Sequence, residues 1–163
     1  MMNGDTMQLS VYSRSSKIKV SEIKDAAQFY AGLLMHRNLI KHLDIMIAFD
    51  DNGLDGSCSI EDDFARPREF LIQLNPKRSV EKILCALAHE MVHVKQYATG
   101  ESRNYERQPS FVRFRGVMVN TKTTLYWDQP WEIEAFGREY GLYVRYMEDK
   151  HAKAKAAKKK PGR

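Results

Sequence analysis

Two histidines four residues apart, His89 and His93 in "ALAHEMVHVKQYATGE" (86–101), have the spacing at which one helix offers two imidazoles to one metal ion. Positions four apart on an α-helix differ by about 40° of azimuth and 6 Å of rise, so the two rings project side by side. Glu90 is turned about 100° from His89. That keeps it out of the coordination shell and lets it face a water on the ion's open side. The pattern H-E-x-x-H therefore divides the work: two nitrogen ligands for zinc, and a glutamate that takes a proton from water. Two ligands do not complete a site. A third must come from elsewhere in the chain.

The longer histidine motif of metzincins would need Gly at 96 and His at 99, where this chain has Gln96 and Thr99. His151 lies at the root of a basic tail, and His36 and His42 fall on the first helix as polar or packing positions. Glu101 and Glu106 sit in a polar segment without rigid support. "PWEIEAFGREYG" (130–141) is the better source. Its Glu132 and Glu134 are about 200° apart around a helix, so only one of them can face the ion. Glu132 shares a face with Ala135, Phe136, Glu139 and Tyr143. Glu134 shares the opposite one with Gly137, Arg138 and Gly141, where Arg138 offers an i,i+4 ion pair. The expected metal ligands are His89, His93 and Glu132, with Glu134 as the alternative third ligand.

The elements that must position these residues are legible in outline. Ser21 is a candidate cap for a helix running to about Leu43, with Ile23, Ala27, Tyr30, Leu34 and Ile40 on one face. "DIMIAFDDNGLDGSCSI" (44–60) reads as a strand, a Gly/Asp-rich turn and a second strand. "EFLIQLNP" is a compact apolar strand closed by Pro76. Ser79 then begins the long helix that carries the histidines, and Gly100 stops it. Residues 101–110 read as loop, "FVRFRGVMV" has strand composition, and Asp128 with Pro130 opens the last helix. The order predicts an α+β fold, a small mixed sheet packed on the active-site helix with further helices.

The 163 residues, 43% of them hydrophobic, suit one domain over 1–149, followed by a basic tail over 150–163. The net charge of +5 belongs to that tail, "KHAKAKAAKKKPGR", which holds seven Lys/Arg and no acid. Removing seven of the 26 basic residues leaves 19 against 21 acidic ones, so the body stands at −2. The tail reads as a flexible or helix-continuing solvated extension. A contact with nucleic acid is its alternative use. No run approaches the ~20 apolar residues of a membrane span, and no secretory signal opens the chain, so a cytoplasmic protein is expected. Cys58 and Cys85 do not form a disulfide framework.

"HEMVH" followed by "E-x-E-A" on a later helix resembles the gluzincin branch of the zincin peptidases, in which a glutamate one helix on joins the two histidines. "HEMVHVKQY" with "PWEIEAFGREYGLY" is also similar to ImmA/IrrE-type and to phage-encoded SprT-like minimal metallopeptidases. The match covers roughly residues 69–146. The resemblance implies a zincin-like fold, Zn2+ as cofactor, His89, His93 and Glu132 as ligands, and Glu90 as general base. It also implies hydrolysis of a protein or peptide substrate by a zinc-bound water and, for a phage-encoded chain, the host cytoplasm. SprT proper uses a third histidine, which is missing here, so its substrate does not carry over.

Tyr126, Tyr140, Tyr143 and Arg138 are equivalent candidates for an oxyanion donor, and Asp128, Glu139 or backbone for holding the histidines. "EFLIQLN" is either the edge on which an extended substrate pairs or a core strand. The alternative function is a weakly active or inactive zinc protein that contacts DNA or a protein partner through its tail. The sequence leaves the oligomeric state open.

Overall fold

A computed structural model describes residues 6–159. Strand β1 (Gln8–Val11) leads to helices α1 (Val20–Leu34) and α2 (Arg37–Ile40), then to strands β2 (Asp44–Phe49), β3 (Gly56–Ile60) and β4 (Glu69–Leu74). Helix α3 (Val80–Ala98) follows, then the small strands β5 (Ser102–Asn104), β6 (Phe111–Phe114) and β7 (Val117–Asn120). A 3-10 turn, Tyr126–Asp128, enters helix α4 (Pro130–Lys159). The molecule is mixed α and β, with a small mixed sheet and four helices among the described residues, as the order of elements predicts.

The main sheet runs β1-β2-β4-β3. β1 and β4 flank β2 in parallel, and β3 lies antiparallel to β4 at the edge. β4 lies between β2 and β3, so the two strands that flank the Gly/Asp-rich turn do not pair. Of the two readings open for "EFLIQLN", the interior strand is the one observed. β4, whose Phe70, Ile72 and Leu74 are wholly buried on one face, pairs with a neighbour along each edge. "GSCSI" of β3 is small and half-polar and tolerates an edge. Asn75, almost fully buried, secures the crossing, its amide donating to Leu54 O (3.0 Å) and Asp51 Oδ1 (3.1 Å).

Ile45 and Ile47 of β2 are buried while Asp44, Met46 and Ala48 alternate half-covered, the period of a strand with one face packed. The sheet meets α3 through β3 and β4, and the 13 buried residues of α3 make it the centre of the core. α1 packs on α3 through Ile23, Ala27 and Tyr30, with the Tyr30 hydroxyl donating to Leu84 O (3.3 Å). Phe29 and Tyr30 join α1 to α4 through ring contacts with Tyr146 at 5.7 and 5.9 Å.

The predicted helix to Leu43 is broken at Met35, whose backbone is extended (ψ 156°). His36 caps the short α2, its Nδ1 accepting from the Asn38 N–H (3.2 Å), so a side chain that competes for a backbone donor stops one helix and starts another. Lys19, not Ser21, occupies the N-cap of α1. Residues 102–104, read as loop, pair with β6. The β6–β7 hairpin turns on Arg115 (φ 47°) and Gly116 (φ 86°), the two left-handed positions of a tight hairpin turn.

Candidate metal centre

α3 begins as its sequence dictates. Ser79 caps it by accepting from the Lys82 N–H (3.3 Å), and Gly100 with φ +79° ends it. His89, Glu90 and His93 fall in its middle, all nearly or partly buried. α4 starts at Pro130, where the ring fixes a helical φ and the missing N–H costs nothing. Glu132 follows in its first turn, facing α3 and 7% exposed.

The three groups converge. His89 Nε2 lies 3.1 Å from His93 Nε2 and 3.2 Å from Glu132 Oε2, and His93 Nε2 lies 3.4 Å from Glu132 Oε1. A tetrahedral zinc with ligand bonds of 2.0–2.2 Å has edges of about 3.3 Å between its ligand atoms. The two histidine–carboxylate distances fall on different oxygens of Glu132, and with one ligand atom from each residue the three lie within 4.8 Å of one another, so the cluster could hold a metal ion. Among the described residues this is the one group of three or more His, Cys, Asp or Glu with that proximity.

Hydrogen bonds on the far side of each ring decide which nitrogen faces the centre. His89 Nδ1 donates to Glu139 Oε2 (2.8 Å). His93 Nδ1 donates to Gln96 Oε1 (2.9 Å). Gln96 is wholly buried, and its Nε2 donates to Trp131 O (3.0 Å) and Glu134 Oε2 (3.0 Å). A carbonyl only accepts, so the amide nitrogen must point at Trp131 and the amide oxygen at His93. With both Nδ1 atoms donating, both Nε2 lone pairs point at the carboxylate and at each other. Three acceptors at this spacing call for a cation or for protons between them.

The metal-free electrostatics follow from that need. Burial works against protonating His89, but hydrogen bonds to Glu132 and Glu139 outweigh it and raise its pKa to about 9. His93 is raised as well, against its burial, by Glu132 and Glu90. Burial also opposes charge on Glu132, yet the two imidazoles override it and hold that carboxyl well below the usual carboxylate range. Burial pushes Glu90 up to about 6, with His93 and His89 pulling the other way.

Glu90 lines a cavity of about 230 Å³ together with His89, His93, Glu132, Tyr97 and Tyr126. β3 forms its opposite wall. A Cβ at Gly56 would stand 2.9 Å from Glu90 Oε1 and 3.2 Å from its Cγ, so glycine lets the edge strand come this close with Glu90 in its place. A second space, about 600 Å³, opens on the other flank between Leu54, Ala86, Phe136 and Tyr126.

Glu134, the alternative third ligand, points elsewhere. It ion-pairs with Lys95 (2.9 Å), Arg115 (3.1 Å) and, as its spacing predicts, Arg138 (3.1 Å). Glu139 is the partner of His89, chosen from the three alternatives open in the sequence. Of the four oxyanion candidates, Tyr126 lines both cavities, and its hydroxyl donates to Glu132 Oε2 (2.8 Å). Tyr140 is 61% exposed and stacks with Tyr143, and Arg138 is engaged by Glu134. Sequence reasoning missed Gln96. Its signal was the i,i+3 spacing from His93, which brings two side chains together on one helix face. No family model matches the chain, and no curated protein or solved structure matches it.

Proposed function

We propose that this protein is a zinc-dependent metallopeptidase of zincin-like architecture. The observation that carries the reading is the buried triangle of His89 Nε2, His93 Nε2 and the Glu132 carboxylate, with edges of 3.1–3.4 Å and a carboxylate from the same helix in the same cavity. His89, His93 and Glu132 would hold the ion. Bound there, zinc supplies Lewis acidity that polarises a scissile carbonyl and makes a water acidic near neutral pH.

The chain's own residues do the rest. Glu90, with its pKa raised to about 6 by burial, is near the value at which a carboxylate accepts a proton at neutral pH and returns it to a leaving amine. Tyr126 offers a hydroxyl proton beside Glu132, where an oxyanion developing at the carbonyl can accept it. The outer edge of β3 passes Glu90 at Gly56. An extended peptide pairing with that edge by backbone hydrogen bonds brings its carbonyl to the base with little demand on side chains. Phe136 and Leu54 on one flank and Trp131 and Tyr97 on the other enclose the cleft and limit water around the reacting groups.

Glu90→Gln is the decisive variant. It keeps the size of the side chain and removes the base, so peptide hydrolysis falls by about 10²–10⁴-fold while zinc content, measured by elemental analysis, stays at one per chain. Full activity in that variant would end the peptidase reading.

A further inference from the structure

Behind His93 lies a polar assembly that the proposed reaction does not use. Gln96 is 0% exposed, Lys95 8%, and the Glu134 side chain 9%. Lys95 Nζ donates to Glu101 Oε2 (2.7 Å) and Glu134 Oε1 (2.9 Å), and Arg115 reaches both acids at 3.1 Å. Burying this much charge is costly unless each member is held by the others, and the arrangement converges on one amide. The Gln96 nitrogen is fixed by Glu134 and by the Trp131 carbonyl, which leaves its oxygen facing His93 Nδ1. An amide without those two acceptors can turn over and present N–H₂ to the ring. It would then reverse the tautomer and put a proton on Nε2, where the lone pair is needed.

We propose that Glu134 and Gln96 form a relay that fixes the tautomer of His93, making Glu134 a positioning residue for the metal centre and not one of its ligands. The proposal rests on the metal-site reading above and gives the two histidines different support. His89 is held directly by a carboxylate, Glu139, and His93 by a neutral amide that a carboxylate orients. The chemistry of the relay also explains why Glu134 is engaged by three cations. Lys95, Arg115 and Arg138 keep it ionised and fixed as an acceptor, so the amide has one orientation.

Zinc affinity, measured by competition with a chromophoric chelator, tests the relay without any substrate. Gln96→Leu removes the acceptor at similar volume, and affinity falls by about 10- to 100-fold, the usual loss when a partner of a ligating histidine is removed. Glu134→Leu produces a smaller loss although it touches no ligand, because the Trp131 carbonyl still holds the amide nitrogen. The double variant loses no more than Gln96→Leu alone, because both act through one path. Glu134→Gln keeps an acceptor oxygen for the Gln96 amide and stays near the unsubstituted affinity.

Affinity unchanged in Gln96→Leu, or losses that simply add, would overturn the relay while leaving the peptidase reading intact. Failure of the unsubstituted protein to take up zinc would overturn both. Nitrogen-15 spectra of zinc-loaded, unsubstituted protein need no variant to fold. They should show His93 protonated at Nδ1, with that proton resonance shifted far downfield by its hydrogen bond. A His93 found without a proton on Nδ1 would also overturn the relay.

Discussion

At the scale of single residues, the H-E-x-x-H pattern was readable because its geometry is local. His89, Glu90 and His93 are fixed relative to one another by one helix, and helical geometry alone puts two rings together. Choosing Glu132 over Glu134 took only one further step, the face on which Ala135 and Phe136 lie. Gln96 escaped because a neutral amide carries no chemical flag; only its partners make it matter. Glu132→Ala leaves two ligands, and stoichiometric zinc uptake is lost. Gly56→Ala is the more informative change. Its new Cβ meets the free end of Glu90 and not backbone, so stability changes little, but the base is displaced. Hydrolysis should fall in that variant with zinc content and melting temperature preserved; equal losses of activity and stability would contradict the close approach.

The pH response belongs to the same residues. His89 in the metal-free fold has its pKa raised from 6.5 to about 9, so its contribution to stability is complete below about pH 6.5 and disappears as pH rises through about 9. Zinc needs the neutral ring, and binding near pH 7.5 therefore releases protons. Calorimetry in buffers of different ionisation enthalpy measures that release. Zinc affinity should rise between pH 6.5 and 9 while metal-free stability declines, and binding without proton release would contradict the hydrogen-bonded triangle.

Among the elements, α3 and the start of α4 were legible because their caps and stops are short-range: Ser79, Gly100 and Pro130 each act on the adjacent turn. The strand order was not. That β4 inserts between β2 and β3 depends on which strands pair, a comparison between distant segments that periodicity does not make. The consequence bears on the proposed function, since the free edge of the sheet beside Glu90 is "GSCSI" and not "EFLIQL". The interruption at Met35 was equally hidden, because a histidine that caps a helix looks like one that sits inside it. Gly100→Ala tests the end of α3. Holding a left-handed conformation without glycine costs about 1–2 kcal/mol, with Arg66 Nε 3.0 Å from the added Cβ. Thermal denaturation should register that loss, and zinc affinity should not change, because His93 lies nearly two turns upstream.

For the whole molecule, no described helix is long and apolar enough to cross a membrane, and the charge asymmetry seen in the sequence has a definite form. Residues 150–159 continue α4 as an exposed basic helix, tied back by Lys150 to Glu22 and by Lys153 to Asp149. Ending the chain after His151 removes no buried side chain among the described residues, so melting temperature and zinc content should be unchanged. If retention on DNA at low salt is also unchanged, the nucleic-acid use of the extension is excluded; a drop that vanishes with added salt would support it.

Helix α4 has its first turn in the candidate metal centre and its last described turn in open solvent, with 27 residues and about 40 Å between Glu132 and Lys159. It is a lever with its short arm at the His89–His93–Glu132 cluster. Whatever grips the outer end, whether a partner, a surface or an affinity tag, also bears on the carboxylate at the inner one.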